Sequence, residues 1–174
     1  MDAPSLDGPA IAYRTFPRKL PLALTAAGGA LAMLGGIGTW VRATSVASVG
    51  LAPQEVEVVA GHSLAGGQAL IALGIVAAFA ALGWRTRDGG GRAFPVLTSL
   101  LVIGIGAWQL AGADSRAAAM AEAARAEPGF AAYHASFGWG AWVLLLGLVV
   151  LFLGLLAGIL REVDLRYPPK EALA

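Results

Sequence analysis

The chain has 174 residues, 57% of them hydrophobic and only 13% charged, whereas soluble domains carry about a quarter charged residues. Twelve Lys and Arg set against eleven Asp and Glu leave a formal net charge of +1, which gives no electrostatic footprint for nucleic acid. The absence of cysteine removes disulfides, thiolate metal sites, iron–sulfur clusters and cysteine nucleophiles.

Residues 1–19 are largely polar and punctuated by Pro4, Pro9 and Pro17, so they read as a tail too poor in apolar surface to fold alone. A helix rises about 1.5 Å per residue and needs about 20 apolar residues to cross a hydrocarbon core of about 30 Å. Residues 20–41 meet that length, and so do 63–84, 93–113 and 136–160, all without a charged side chain. The first segment, with Arg14, Arg18 and Lys19 before it and Ser45 and Ala47 after it, also has the outline of a signal peptide. Its apolar stretch is longer than the 7–15 residues or so of such a leader, and a membrane span is the expectation.

The connection after the first span alternates Glu55, Val56, Glu57 and Val58 beyond Pro53, a period of two that suits a short strand or hairpin arm. Between the second and third spans lie Arg85, Arg87, three consecutive glycines at 89–91 and Arg92, a short turn that makes these spans an antiparallel pair. After the third span, residues 114–127 read as a short outer helix. Asp114 or Ser115 would be its N-cap, alanines its body, and Pro128 with Gly129 its stop; it also has the makings of a simple prolongation of the third span. Residues 161–174, with Pro168 and Pro169, form a second short tail.

Orientation follows from the Lys and Arg near the span ends. Nine of the twelve lie in the N-terminal tail (Arg14, Arg18, Lys19), the second connection (Arg85, Arg87, Arg92) and the C-terminal tail (Arg161, Arg166, Lys170). These three segments are therefore expected in the cytoplasm. The first and third connections face outward, with Arg42, Arg116 and Arg125 beside Glu55, Glu57, Asp114, Glu122 and Glu127. Trp40, Trp108, Trp139 and Trp142 fall near the outer ends of their spans and Trp84 near an inner end, as expected of anchors in the headgroup region. The expected fold is an all-α, four-span antiparallel bundle in a bacterial inner (plasma) membrane.

Gly28, Ala32 and Gly36 on the first span, Gly66, Gly74 and Ala78 on the second, and Gly154 with Gly158 on the fourth form rows of small residues. Such rows let helix backbones approach closely in lipid, either inside this bundle or against another chain. Polar side chains within the spans are few: Thr25, Gln68, Thr98, Ser99 and Gln109. An ion pump or proton-coupled carrier needs more. His62 and His134, the only histidines, sit before the second and fourth spans. If those spans are neighbours the two imidazoles would suit a shared b-type haem or metal ion, with Glu55, Glu57 and Asp114 as further ligands; otherwise each caps a helix or meets a headgroup or partner. Catalytic signatures are lacking, since the glycines at 89–91 have neither the strand nor the Lys of a phosphate loop and no Gly-x-Ser-x-Gly or HExxH occurs.

The first span ending at Trp40 and Val41, the Val-rich outer connection, the Gly61-x-Ser63-Leu64 entry into the second span and the short Arg-rich inner turn together resemble small actinobacterial four-span membrane proteins, the tryptophan-operon-associated type. The resemblance covers residues 20–113 and implies a four-span fold with no assigned activity. The leading functional expectation is a non-catalytic accessory or scaffolding subunit, cofactor-free, packed in the bilayer against a larger integral membrane complex of respiratory or lipid-transport type. The alternatives are a haem- or metal-binding redox protein using His62 and His134, and a carrier for an apolar molecule.

Overall fold

The computed structural model describes residues 19–46, 54–85, 89–125 and 132–166. Four long apolar helices pack together: α1 Leu20–Ile37, α2 Ala65–Ala80 continued by a 3-10 segment Ala81–Arg85, α3 Gly89–Arg125 and α4 Trp139–Arg166. Each is long and apolar enough to cross a membrane, and the protein is a multi-pass membrane protein. At one end three strands, β1 Thr39–Val46, β2 Gln54–Ala60 and β3 Ala132–Phe137, form an antiparallel sheet in the order β2-β1-β3. The connections α1–α2 and α3–α4 therefore meet at that end, and the α2–α3 turn lies at the other.

The helices form a square in which α1 packs most extensively on α4 and α2, while α3 closes the far corner against α2 and α4. Two glycine faces of α1 dictate this. Gly28 and Gly35, seven residues apart, lie against Leu151 and Leu144 of α4, where an added Cβ would come within 2.7 Å of the leucine backbone nitrogen in both cases. Gly29 and Gly36, one residue further on, lie against α2, with a Cβ on Gly29 meeting Gly74 O at 2.7 Å and one on Gly36 meeting Gly67 O at 3.0 Å. The partners reciprocate. Gly147 of α4 receives Ala32, Gly154 receives Thr25, and Gly74 of α2 receives Met33. Backbones this close gain dense van der Waals contact, which is what holds helices together where the solvent is as apolar as the side chains.

Several boundaries differ from the sequence expectation. The first span ends at Ile37, and Trp40 and Val41 belong to β1; the chain leaves the helix at Gly38, where a Cβ would strike Gly140 of α4 at 2.6 Å. Residues 136 and 137, expected in the fourth span, complete β3 by pairing with Arg42 and Val41, and α4 starts at Trp139. That helix continues through Arg161 to Arg166, into the segment that the sequence predicts as the C-terminal tail. The glycines at 89–91 form the first turn of α3. Asp114 and Ser115 are not an N-cap, because α3 runs unbroken through them. Ser115 Oγ bonds back to Gly112 O at 3.0 Å, and the alanine-rich sequence offers nothing to stop the helix before Arg125. At about 1.5 Å per residue, 37 residues give α3 about 55 Å, far more than a bilayer core needs. The Pro53, Pro128 and Pro168 breaks and the tails 1–18 and 167–174 lie outside the described residues.

The glycine faces make a direct test. Gly28→Leu drives a side chain into the α4 backbone and should lower stability by about 3 kcal/mol or prevent folding, whereas Gly104→Leu, where a Cβ meets nothing within 4 Å, should change it by less than about 0.5 kcal/mol. Thermal melting of both variants in detergent, followed by circular dichroism, checks the contrast.

Candidate functional site at the sheet end of the bundle

The sheet is not a loose cap. Thr39 pairs with Ala60 and Val41 with Val59, leaving Trp40 as an extra residue on β1, a bulge that re-aims the strand. As a result two consecutive residues, Trp40 and Val41, are both buried, each 1% exposed. The indole Nε1 of Trp40 donates to Gly35 O at 2.7 Å, and its backbone carbonyl accepts from Gly138 N at 2.8 Å. Gly61 leaves space for the ring, since a Cβ there would collide with Trp40 Nε1 and Gly36 O.

Between this bulge and α3 lies a cavity of about 300 Å³, lined by Trp40 and Val41 of β1, Val59 of β2, Leu64, and Ala113, Arg116, Ala119 and Met120 of α3. The α3 contribution follows helical periodicity. Gln109, Ala113, Arg116 and Met120 recur at intervals of four, three and four, so they share one face. Apart from Arg116, every lining side chain is apolar. Arg116 Nη2 donates to Oε1 of the buried Gln109 at 2.9 Å, and Gln109 in turn fits only because Gly66 of α2 has no side chain. Arg116 Nη1 is buried and has no hydrogen-bond partner among the described residues. A guanidinium offers five donors in a rigid fork, and here one arm of the fork is anchored on Gln109.

Arg116 did not stand out in the sequence because residues 114–127 read as a separate outer helix. In the continuous α3 it lies two turns from Gln109 on the same face; the spacing Gln109-x3-Ala113-x2-Arg116 was the available signal.

The residues singled out from sequence separate clearly. Trp108, Trp139 and Trp142 are exposed, while Trp40 and Trp84 are buried and point into the protein. The correction for Trp84 has the same physical origin as that for Trp40, since its Nε1 finds a buried acceptor, Thr25 Oγ1 at 3.1 Å, and its ring lies in the notch left by Gly158. Gly28 and Ala32 face α4, Gly36 and Gly74 face α1–α2, Gly66 faces α3, and Gly154 faces α1. Ala78 touches the Gly29 position on α1. These rows are spent within the bundle.

His62 and His134 do not meet. Spans two and four stand diagonally in the square, and β1 runs between the strands that carry or precede the two residues. His134 pairs with Thr44, whereas His62 follows Ala60, the partner of Thr39; two strand spacings and five residues of rise put them on the order of 15–20 Å apart. One iron cannot bridge that gap. Both side chains are exposed, and His62 Nδ1 lies 3.3 Å from Ile37 O, at the end of α1. Among the described residues no three His, Asp or Glu side chains converge on a point. The remaining polar groups of the spans are locally engaged: Thr98 Oγ1 bonds Phe94 O at 2.9 Å, and Gln68 Nε2 donates to His62 O at 3.1 Å. The hydroxyl of Ser99 is the exception, buried without a partner among the described residues.

Compared with known proteins, the chain matches no family model and no curated sequence.

The Gln109–Arg116 contact is testable by a double-mutant cycle. Gln109→Leu leaves a partly buried guanidinium arm without its acceptor and should cost about 2 kcal/mol, and Arg116→Met about 1 kcal/mol. The double variant should fall well short of their sum, with a coupling of about 1 kcal/mol in denaturant unfolding; strictly additive losses would mean that the two side chains do not interact.

Proposed function

We propose that the chain is a non-catalytic protein of a bacterial inner (plasma) membrane whose work is done at its sheet end, by holding an apolar or amphipathic molecule in the cavity under the sheet. The cavity itself carries this reading. Ligand sites are concave, mostly apolar and provided with few polar groups, and a space of about 300 Å³ walled by Trp40, Val41, Val59, Leu64 and Met120 with one guanidinium fits that description. Ala119 is exposed while also lining it, so the cavity reaches the surface. The spans contribute no charged path, and the small-residue faces that suggested a partner are occupied by the bundle's own helices.

The sheet end faces outward and both termini lie in the cytoplasm. This orientation is supported by the Arg85, Arg87 and Arg92 cluster in the α2–α3 turn, together with the basic residues flanking α1 and α4 at that same end. The exposed Trp108, Trp139 and Trp142 then sit at the outer headgroups.

A second reading, a subunit of a larger membrane assembly, is favoured by one observation: an apolar notch of about 200 Å³ at the α3–α4 corner, lined by Leu110, Phe137, Ala141, Trp142 and Leu145. A side chain from a neighbouring span would fit it. Phe137 and Trp142 hold its edge as a T-shaped ring pair with centroids 6.4 Å apart.

Single cysteines at Ala118 and Gly90 test the orientation. An impermeant thiol reagent applied to intact cells should label Ala118→Cys and not Gly90→Cys, and the reverse pattern would place the sheet inside. For the cavity, Ala119→Phe puts a ring into the space from an exposed position and should abolish the binding of tritiated oleyl alcohol to the purified protein while leaving its melting temperature unchanged. Equal binding by both proteins would remove the cavity as the site.

A further inference from the structure

Resting on the reading of the outer cavity as a binding site, we infer that its ligand is an anionic amphiphile, a carboxylate or phosphate on an apolar chain, whose oxyanion is received by Arg116. The chemistry of the wall leads there. Seven of the eight lining residues are apolar and the eighth is a guanidinium, so the cavity is complementary to a molecule that is apolar except at one negatively charged point. A sugar or a nucleotide would leave its polar groups unpaired against Val41, Val59, Leu64 and Met120, which is expensive in an apolar space. A free inorganic anion would satisfy the arginine and leave the apolar wall unused.

The guanidinium is poised for this. Nη2 is tied to Gln109 Oε1, which fixes the plane of the fork, and Gln109 is itself jammed beside Gly66 on α2. Arg116 is the one charged residue on the cavity wall, and an oxyanion in the cavity would take from its guanidinium a short charge-assisted hydrogen bond. Gln109 is an amide, not a carboxylate, and this matters. A neutral acceptor orients the guanidinium without neutralising it, so the charge remains for the ligand. Gln109 is thus a positioning residue for Arg116. Trp40 and Val41 reach the opposite wall only because the bulge in β1 turns both inward, so the apolar half of the site and the charged half come from different elements held in register by the bundle.

The test uses the full chain purified in dodecyl maltoside, with tritiated oleate, oleyl alcohol and oleoyl lysophosphatidate as probes and inorganic phosphate as competitor. Oleate and lysophosphatidate should each bind about tenfold or more tightly than oleyl alcohol, the ratio expected of one charge-assisted hydrogen bond. Arg116→Gln should bring the acids down to the level of the alcohol with little effect on the alcohol itself, and Arg116→Lys should keep most of the preference because it keeps the charge. Which of the two acids binds more tightly separates a fatty-acid source from a phospholipid source. Millimolar phosphate should not displace either acid. If Arg116→Gln does not fold, the wild-type ratio of oleate to oleyl alcohol and its decline with salt still decide the matter. Equal binding of oleate and oleyl alcohol by the wild type would overturn the anionic ligand while leaving the cavity a binding site. Failure of all three probes to bind would overturn the cavity reading as well, and displacement by phosphate alone would show a free-anion site that makes no use of the apolar wall.

Discussion

Everything in this structure depends on how closely α1 approaches its two neighbours. Gly28 and Gly35 bring its backbone onto α4, and Gly29 and Gly36 bring it onto α2. Because the two pairs are offset by one residue, the two contacts are about 100° apart around the helix, which is what places α2 and α4 on the two corners next to α1, diagonal to each other, and leaves α3 on the corner opposite α1. In a lipid solvent there is no hydrophobic gain in pressing apolar helices together, so this geometry must be supplied by surface shape. A β-carbon at each of the four positions would come within 3.0 Å of a backbone atom of the neighbouring helix, which cannot yield as a side-chain end can.

The sheet end inherits that geometry. With α1 pressed against α4, the chain can leave α1 only through Gly38 beside Gly140, and it emerges as β1 between the segments that lead into α2 and α4. The three-stranded sheet is thus a consequence of the helix packing below it: β2 and β3 are the chain ahead of α2 and α4, drawn to β1 because those helices are already beside α1. The bulge at Trp40 seals the junction by sending the indole back onto Gly35. The overlong α3 rises past the same sheet, and the space between them is the cavity in which Arg116 stands.

Much of this was legible in the sequence. Four uncharged stretches of about 20 residues have one physical explanation, and the Glu55–Val58 alternation marked a strand that exists as β2. What could not be read came from tertiary context. Trp40 and Trp84 carry the amphipathic ring that usually marks a membrane interface, but each finds a buried oxygen acceptor and a glycine notch, at Gly35 and Gly61 for one and at Thr25 and Gly158 for the other; those partners are from 5 to 74 residues away along the chain, and no local pattern announces them. β3 was hidden because Ala132–Phe137 has little alternation of its own and is a strand because β1 offers it an edge. The pairing of His62 with His134 looked attractive because both precede even-numbered spans, but it required α2 and α4 to be neighbours, and the glycines of α1 put them on a diagonal. Arg116 is concealed where residues 114–127 are read as a separate outer helix; as a prolongation of the third span, the other expectation and the one α3 bears out, they put it in phase with Gln109.

On the proposed reading, the space beneath the sheet takes up an amphiphile from the membrane. Trp40 makes the most direct reporter, because it is 1% exposed and lines that space while the exposed Trp108 and Trp142 face the bilayer in any case. Nuclear Overhauser effects should be measured between indole protons and acyl-chain protons, with the chain deuterated except for tryptophan and reconstituted in bilayers containing protonated oleate. Cross-peaks from Trp40 to the acyl chain are expected and should disappear in Ala119→Phe, while those of Trp108 and Trp142 persist. Cross-peaks from Trp108 and Trp142 alone, with none from Trp40 in the wild type, would contradict it.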